Sequence, residues 1–434
     1  MTAFAVASKM FPFQSLNALA QTSEDYKALV CVFLLGGNDA DNTVLPISGQ
    51  ARSDYDSVRS SLSISASSLL PIGTVNHSTY GSTDYGLHPS MSGIQGLSDN
   101  LAIVANMGNL VEPMTKEEYR NRTKERPLSL FSHSNQQDQM QTASPGESSS
   151  TGWGGRIIDN MPGVNNPSTF PTGVSLSGSN KFLAGSPSQA ATISGSGGFQ
   201  LSGLGGSFGE ARTTAVQEML DFDTGFSLVQ HASSIFSDGL AIGEVINDAL
   251  RNTTINTPFP SGSLGTRLRQ VAQLIKSRSA LGMKRQIFFV STGGYDTHSN
   301  QPGRHSSLLT GLSEAMTAFY TATEELGIPQ KVTSFTLTDF GRTFQPNQRG
   351  GSDHAWGGTQ FILGGAVNSG IYGNFPTLQL DGPDTTDSRG RWIPTTSLDQ
   401  CGATLATWYG LDPAELDTVF PNLSNFSSNN LGFV

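Results

Sequence analysis

Apolar residues in this chain gather into short unbroken runs, each ending in glycine or a polar turn. Ala28 to Leu35 reads ALVCVFLL and stops at Gly36-Gly37-Asn38-Asp39, and Gln286 to Ser291 (QIFFVS) runs into a second Gly-Gly pair. Leu101 to Met107 (LAIVANM) and Val332 to Leu337 (VTSFTL) have the same character. Runs of strand length without polar alternation are how strands covered on both faces of a parallel sheet read. Helical stretches separate or follow them: an amphipathic Pro89 to Leu97, a helix from about Ser307 to Leu326, and Leu398 to Tyr409 with Leu398, Leu405 and Trp408 on one side. Strand, helix, strand in this order predicts right-handed crossovers, hence an α/β fold with a mostly parallel central sheet flanked by helices.

The pattern changes character in two places. Thr2 to Ala20 is mostly apolar or small, carries Lys9 as its one charge, and ends in Ala18-Leu19-Ala20. That ending fits the small-x-small pattern before a signal cleavage site, while Pro12 and Gln14 interrupt the stretch too early for a bilayer span. Residues 1–26 therefore read as an export-signal remnant, or as a loose amphipathic arm, and place the protein in the periplasm or outside the cell. Residues 27–434 read as one α/β domain. Within it, residues 144–256 read as a Gly/Ser-rich insertion or cap: Ser, Gly, Thr and Asn dominate up to Ser207, with strand-like Thr172 to Leu176, and a helical stretch follows from Arg212 to Leu250.

A 36% hydrophobic share over 434 residues suffices for a packed core. The net charge of −10 argues against a nucleic-acid partner, because no basic face is available to displace counterions from phosphates. A small anionic substrate stays open, since a bound cation inverts the local field. Cys31 lies inside an apolar run and reads as a buried free thiol, with a disulfide to Cys401 as the alternative; no zinc-type cysteine spacing is present.

Asp and His residues concentrate in four short segments. Asp39 follows the first run, Asp296 and His298 follow QIFFVS, Asp339 and Arg342 follow VTSFTL, and Asp353-His354 lies in the loop beyond. Singly these are ordinary turn residues and caps. Parallel strand ends converge on one rim, where open α/β sheets place ligands, so the four segments are expected to share a pocket. Carboxylates mixed with imidazoles suit a divalent metal, zinc foremost, with manganese, magnesium or calcium as other occupants. One ion, or two clamping the attacking and leaving oxygens of a transferred group, would fit.

The stretches VFLLGGNDADNTVLP, STGGYDTHSNQ, TLTDFGRTFQPNQRGGSDHAWGGTQFILGGAV and IYGNFP resemble a bacterial family known as domain of unknown function 1501. That family is described as sulfatase-like and belongs to the alkaline-phosphatase-like superfamily. The resemblance runs from about Ala28 to the C-terminus, weakest in the Gly/Ser-rich middle. It implies an alkaline-phosphatase-like fold and export, usually by a twin-arginine signal that this chain lacks. It also implies Asp39 and Asp339 as ligands of one metal, Asp296 and His298 of another, and His354, with Asp353, as the final ligand. Asp339 stands where relatives often carry Glu, and Asp296 and His298 lie closer together than in the Asp-x-x-x-His of alkaline phosphatases.

The superfamily nucleophile opens a helix, where backbone N–H groups favour an anion. Phe131-Ser132-His133-Ser134-Asn135-Gln136-Gln137 resembles the family's Ser-His motif. Ser132 would be the hydroxyl nucleophile, and His133 base, ligand or nucleophile. Ser134 with Gln137 also fits a capping box. Arg342 is placed to hold a phosphate or sulfate oxygen, or else to pair with a neighbouring acid; His88 reads as a helix-start residue. The Cys-x-Pro-x-Arg motif of formylglycine sulfatases is missing. The expected function is an exported metal-dependent hydrolase or transferase for a phosphate or sulfate ester, on a small anionic ester or an extracellular saccharide. The rival is a non-catalytic binding or surface-assembly protein that keeps the fold. A metal-free Ser-His-Asp hydrolase is a third reading, but none of the apolar strand runs ends in a Gly-x-Ser-x-Gly elbow.

Overall fold

In the computed structural model, residues 25–193, 207–222 and 225–434 are described; Thr2 to Ala20, read above as an export-signal remnant, lies outside them. Along the chain the strands are β1 (Lys27–Leu34), β2 (Val44–Pro46), β3 (Leu70–His77), β4 (Gly81–Leu87), β5 (Leu101–Gly108), β6 (Gly173–Ser175), β7 (Ala191–Thr192), β8 (Arg285–Thr292), β9 (Val332–Thr338), β10 (Gly358–Gly364), β11 (Gly370–Tyr372) and β12 (Thr396–Ser397). The central sheet has the order β11-β5-β10-β9-β1-β8-β6-β7, with β12 also on β5. β1 lies between β8 and β9 and is parallel to both, while β10 runs antiparallel to β9 and β5. The sheet is thus mostly parallel. Its two faces are covered by separate apolar layers, one holding Val30, Val32, Phe288 and Val290, the other Leu29, Cys31, Phe33 and Phe289.

Physical reasons account for the departures from the sequence pattern. The helix expected from about Ser307 spans Gln301–Glu325, because Pro302 falls in its first turn, where a missing N–H costs nothing. Pro89 to Leu97 yields a 3-10 turn, Pro89–Met91, capped by His88, and one helical turn, Ser92–Gln95. Arg212 to Leu250 divides into helices Gly209–Asp221 and Ser227–Asn252, and Thr172 to Leu176 supplies β6 on the outer edge of β8. The helix Leu398–Tyr409 matches its expected bounds, opened by a Ser397/Gln400 capping box and closed by Gly410 at φ +111°. A small antiparallel sheet, β2-β4-β3, had no counterpart in the pattern. β3 and β4 are half exposed and carry Gly, Pro and Asp, residues that fit strands poorly, while β2 is buried but only three residues long.

Cys31 and Cys401 are both free and buried, and burial pushes the Cys401 thiol up to about 12. No helix among the described residues is long and apolar enough to cross a membrane. For the site, the deciding feature is that β8, β1 and β9 are adjacent and parallel. Their carboxyl ends release Asp296, Asp39 and Asp339 at one rim, and antiparallel β10 starts near that rim just after Asp353-His354.

Candidate metal centre

The loops leaving these strands nest because glycines let them. Gly36 has φ +117°, and a Cβ there would stand 2.3 Å from the Asp296 nitrogen. Gly37, at φ +83°, touches the Phe340 ring so closely that a Cβ would lie 2.6 Å from it. A Cβ on Gly351 would lie 2.3 Å from the His298 carbonyl carbon. Gly36→Ala therefore combines a strained backbone with overpacking and is expected to cost about 2–3 kcal/mol. A urea midpoint equal to wild type would show that the β8 loop does not sit against β1 as described.

Three histidines meet where these loops converge. His133, the first residue of the helix His133–Thr142, donates from Nδ1 to Asp339 Oδ2 at 2.7 Å. His298 donates from Nδ1 to Asp353 Oδ1 at 2.9 Å, and His354 from Nδ1 to the Phe131 carbonyl at 2.7 Å. Carboxylates and carbonyls only accept, so these partners assign the proton to Nδ1 in each ring and leave Nε2 with a lone pair when the ring is neutral. The three Nε2 atoms face one oxygen, Asp296 Oδ1, at 3.4 Å (His133), 3.0 Å (His298) and 3.4 Å (His354). His298 Nε2 and His354 Nε2 are 2.9 Å apart, and His133 Nε2 is buried without a hydrogen-bond partner. Donor atoms of His133, Asp296 and His354 all lie within 4.8 Å of one another. A proton shared between two rings relieves one lone-pair repulsion, whereas a cation satisfies all the donors at once. The donor set fits a divalent ion.

Each histidine rests on a built support. Asp339 is buried and also accepts from Gly36 N (3.1 Å) and Gln137 Nε2 (2.8 Å). Asp353 takes Asn347 Nδ2 at 3.0 Å and Arg389 Nη2 at 2.7 Å. Phe131 holds φ +71°, a left-handed conformation that costs a non-glycine residue energy, and its carbonyl receives His354. The Phe340 ring packs against His133 and His354, each 4.8 Å between centroids.

The charges follow from these contacts. Burial raises the Asp296 carboxyl, but Arg342, bonded to it at 2.7 Å, together with the nearby His298 and His133, holds it below the usual range. Burial likewise opposes Asp353, yet Asn347, His298 and Arg389 bring it down to about 2. The hydrogen bond to Asp339 raises His133, while burial lowers His354. Arg342 is fully buried and is engaged by the carbonyls of Gly36 and Ser352, the Ser352 hydroxyl and Asp296. Its guanidinium is committed to protein acceptors; of the two readings given above, the geometry is that of a pair with a neighbouring acid.

The residues read from sequence thus fall into layers. Asp296, His298 and His354 come together and His133 joins them, while Asp339 and Asp353 stand one step back. Asp39 sits apart: its buried Oδ2 accepts from Arg59 Nη2 and Gln301 Nε2, and its Oδ1 has no partner. Gln301 Oε1 in turn accepts from Ser352 Oγ at 2.5 Å, which connects this pocket to Arg342. Ser132 precedes the helix, and its Oγ accepts from Asn135 Nδ2 at 3.0 Å. The capping box expected of Ser134 and Gln137 does not form, because the helix opens earlier, at His133 with Ser132 as its N-cap, which leaves Ser134 inside the first turn; the Gln137 amide donates to Asp339. Arg59, Gln301, Asn347 and Arg389 were missed: Gln301 and Asn347 fall within the quoted stretches STGGYDTHSNQ and TLTDFGRTFQPNQRGGSDHAWGGTQFILGGAV but are uncharged amides, and Arg59 and Arg389 are lone polar residues outside them.

Residues 26–386, which hold all of these groups except Arg389, match the profile of a family described as "Protein of unknown function (DUF1501)". The chain belongs to the DUF1501 family. No curated protein matches the sequence. Among solved structures, this DUF1501 chain is similar to the lipoteichoic acid synthase LtaP from Listeria monocytogenes, at 7% identity over 86% of this chain and 75% of that one, with TM-score 0.33. A protein in the alkaline phosphatase superfamily from Vibrio parahaemolyticus shares 9% identity over 89% of this chain and 67% of that one, TM-score 0.37. The PsFucS1 sulfatase from Pseudoalteromonas sp. shares 6% over 89% and 68%, TM-score 0.35.

Proposed function

We propose that this DUF1501 protein is an exported metal-dependent hydrolase or transferase acting on a phosphate or sulfate ester, either a small anionic ester or a group on an extracellular saccharide. The observation that carries the reading is the convergence of three Nε2 atoms, each fixed through its Nδ1, on Asp296 Oδ1. His133, His298, His354 and Asp296 would hold one divalent ion, and an imidazole-rich set with one carboxylate suits zinc best. Asp339, Asp353 and the Phe131 carbonyl orient the ligand rings, as outer partners do in metal sites. A cation held there supplies Lewis acidity to an ester oxygen.

The remaining groups of the chain prepare the substrate. Ser132, at the helix start beside His133, offers its hydroxyl as nucleophile, and the helix N-terminus favours the anionic group. Arg389 pairs with Asp353 and Arg391 donates to the His354 carbonyl at 2.7 Å, so cationic side chains flank the site in a chain of net charge −10. Residues 144–256, which contribute β6, β7 and the two helices after them, serve as an insertion on the α/β core.

The second reading, a non-catalytic exported binding protein, is favoured by Arg342, which already compensates the Asp296 charge. Turnover of aryl phosphates and aryl sulfates by zinc- and manganese-loaded protein separates the two. Activity that His298→Ala abolishes and Ser132→Ala cuts supports the enzyme; metal binding with no turnover of either ester class supports the alternative. Asp353→Ala, which removes the support of His298 and frees Asn347 and Arg389 but no ligand atom, is expected to weaken metal affinity about 10–100-fold. Chelator competition reads this, and an unchanged affinity would remove Asp353 from the site.

A further inference from the structure

The helix Ser227–Asn252 is packed along only part of its length. Its last turn lies beside the end of the helix Ser263–Lys276: Gln273 Nε2 donates to the carbonyls of Leu250 (2.9 Å) and Thr253 (2.7 Å), and Thr253 Oγ1 meets Ser277 Oγ at 2.9 Å. The first helix has 26 residues and the second 14. At 1.5 Å per residue they measure about 39 Å and about 21 Å, so the first runs on well past the start of its neighbour. Its buried residues, Gly243, Ile246 and Ala249, all belong to the anchored end.

An apolar seam runs through both ends. Leu228, Ala232, Ile235, Gly239, Ile242, Ile246 and Ala249 follow one another at alternating steps of four and three residues, the heptad spacing of a helix that pairs with another helix. At the anchored end Ile246 and Ala249 are covered by the core. At the projecting end the same seam is open, with Leu228 79% and Ile235 59% exposed. Val229 and Phe236 flank it, and Met219 and Phe222 are exposed on the preceding helical segment. The four side chains on this helix alone leave on the order of 400 Å² of apolar surface in water. That is the size of the largest apolar patch of an ordinary monomer, about 300–600 Å², which is often functional.

Charge narrows the choice of occupant. Residues 213–250 contain Glu218, Asp221, Asp223, Asp238, Glu244 and Asp248 and no lysine or arginine, so an anionic lipid surface or a nucleic acid is repelled. At 100° per residue Glu244 and Asp248 lie on the face opposite the seam. Small Ala232 and Gly239 alternate with large Leu228 and Ile235, so an identical seam can interdigitate with this one across a two-fold axis. We propose that two copies of this chain associate through the projecting end of the helix Ser227–Asn252, seam against seam, burying Leu228 and Ile235. The surface is independent of the metal centre.

Sedimentation velocity of the full chain at micromolar concentration tests this. The expected result is a dimer that Leu228→Ser with Ile235→Ser converts to monomer at unchanged far-UV circular dichroism. Because Cys31 and Cys401 are buried, Ala232→Cys places a single accessible thiol on an otherwise intact seam. A bifunctional maleimide is then expected to yield cross-linked dimer, with little from a cysteine at Ser53, an exposed position on the helix Gly49–Arg59. A monomeric wild-type chain, a dimer that survives the double serine variant, or Ala232→Cys cross-linking no better than Ser53→Cys overturns the proposal. So does uptake of the wild-type chain by neutral phosphatidylcholine vesicles that the serine variant abolishes while the chain stays monomeric.

Discussion

Arg59→Ala is expected to leave most of the protein unfolded at room temperature. Arg59 closes the helix Gly49–Arg59 and is fully buried. Its guanidinium pairs with the buried carboxylate of Asp39, donates to Asn42 Oδ1 at 3.0 Å, and reaches the carbonyls of Thr343 (3.2 Å) and Phe344 (3.0 Å) in the site loop. Breaking a buried pair by deleting one partner costs about 3–5 kcal/mol, because the other charge stays buried without compensation. Each orphaned acceptor adds about 1–3 kcal/mol. Against a total stability of about 5–15 kcal/mol, the sum is close to the whole margin. Asp41 aggravates the loss: burial has already pushed its carboxyl up to about 7, and Arg59 is the chief group pulling it back. Urea unfolding followed by circular dichroism measures the effect, and Asp39→Asn in the Arg59→Ala background is expected to restore part of it. A midpoint within error of wild type would mean that water reaches Asp39.

His133→Ala is expected to abolish metal binding at unchanged fold. The substitution removes one Nε2 from the convergent set and leaves Asp339 accepting from Gly36 N and Gln137, so the rim keeps its shape. His133 is only partly buried, which makes its truncation inexpensive to stability. The loss of affinity should exceed the roughly 10–100-fold expected for a change in the supporting layer. Isothermal titration with zinc, beside a thermal melt, separates the two effects. Full affinity in His133→Ala would take His133 out of the ligand set, whereas a collapsed melting temperature would make it structural.

The sheet was largely legible in the sequence, since burial on both faces leaves β1, β5, β8 and β9 as unbroken apolar runs. β3 and β4 were hidden because half-exposed strands built around Gly, Pro and Asp carry no comparable pattern, and β2, though buried, is only three residues long. At the site, strand ends told which residues reach the rim: Asp296, His298, Asp339 and His354 all do. They could not tell direct contact from support, because a carboxylate that holds a histidine and one that faces a cation look alike in a string of letters. Asp39 illustrates the limit. Its partner Arg59 ends a helix, GQARSDYDSVR, polar almost throughout, from which no burial is foreseeable. Gln301, its other partner, lies in the first turn of a helix whose start was placed at Ser307.

X-ray absorption at the zinc edge, on protein loaded with zinc and dialysed, probes the ligand set itself. Imidazole multiple scattering from several rings, diminished in His298→Ala and in His133→Ala, is the expected spectrum. Zinc lost on dialysis, or retained with oxygen neighbours alone, would contradict a cation held by His133, His298, His354 and Asp296.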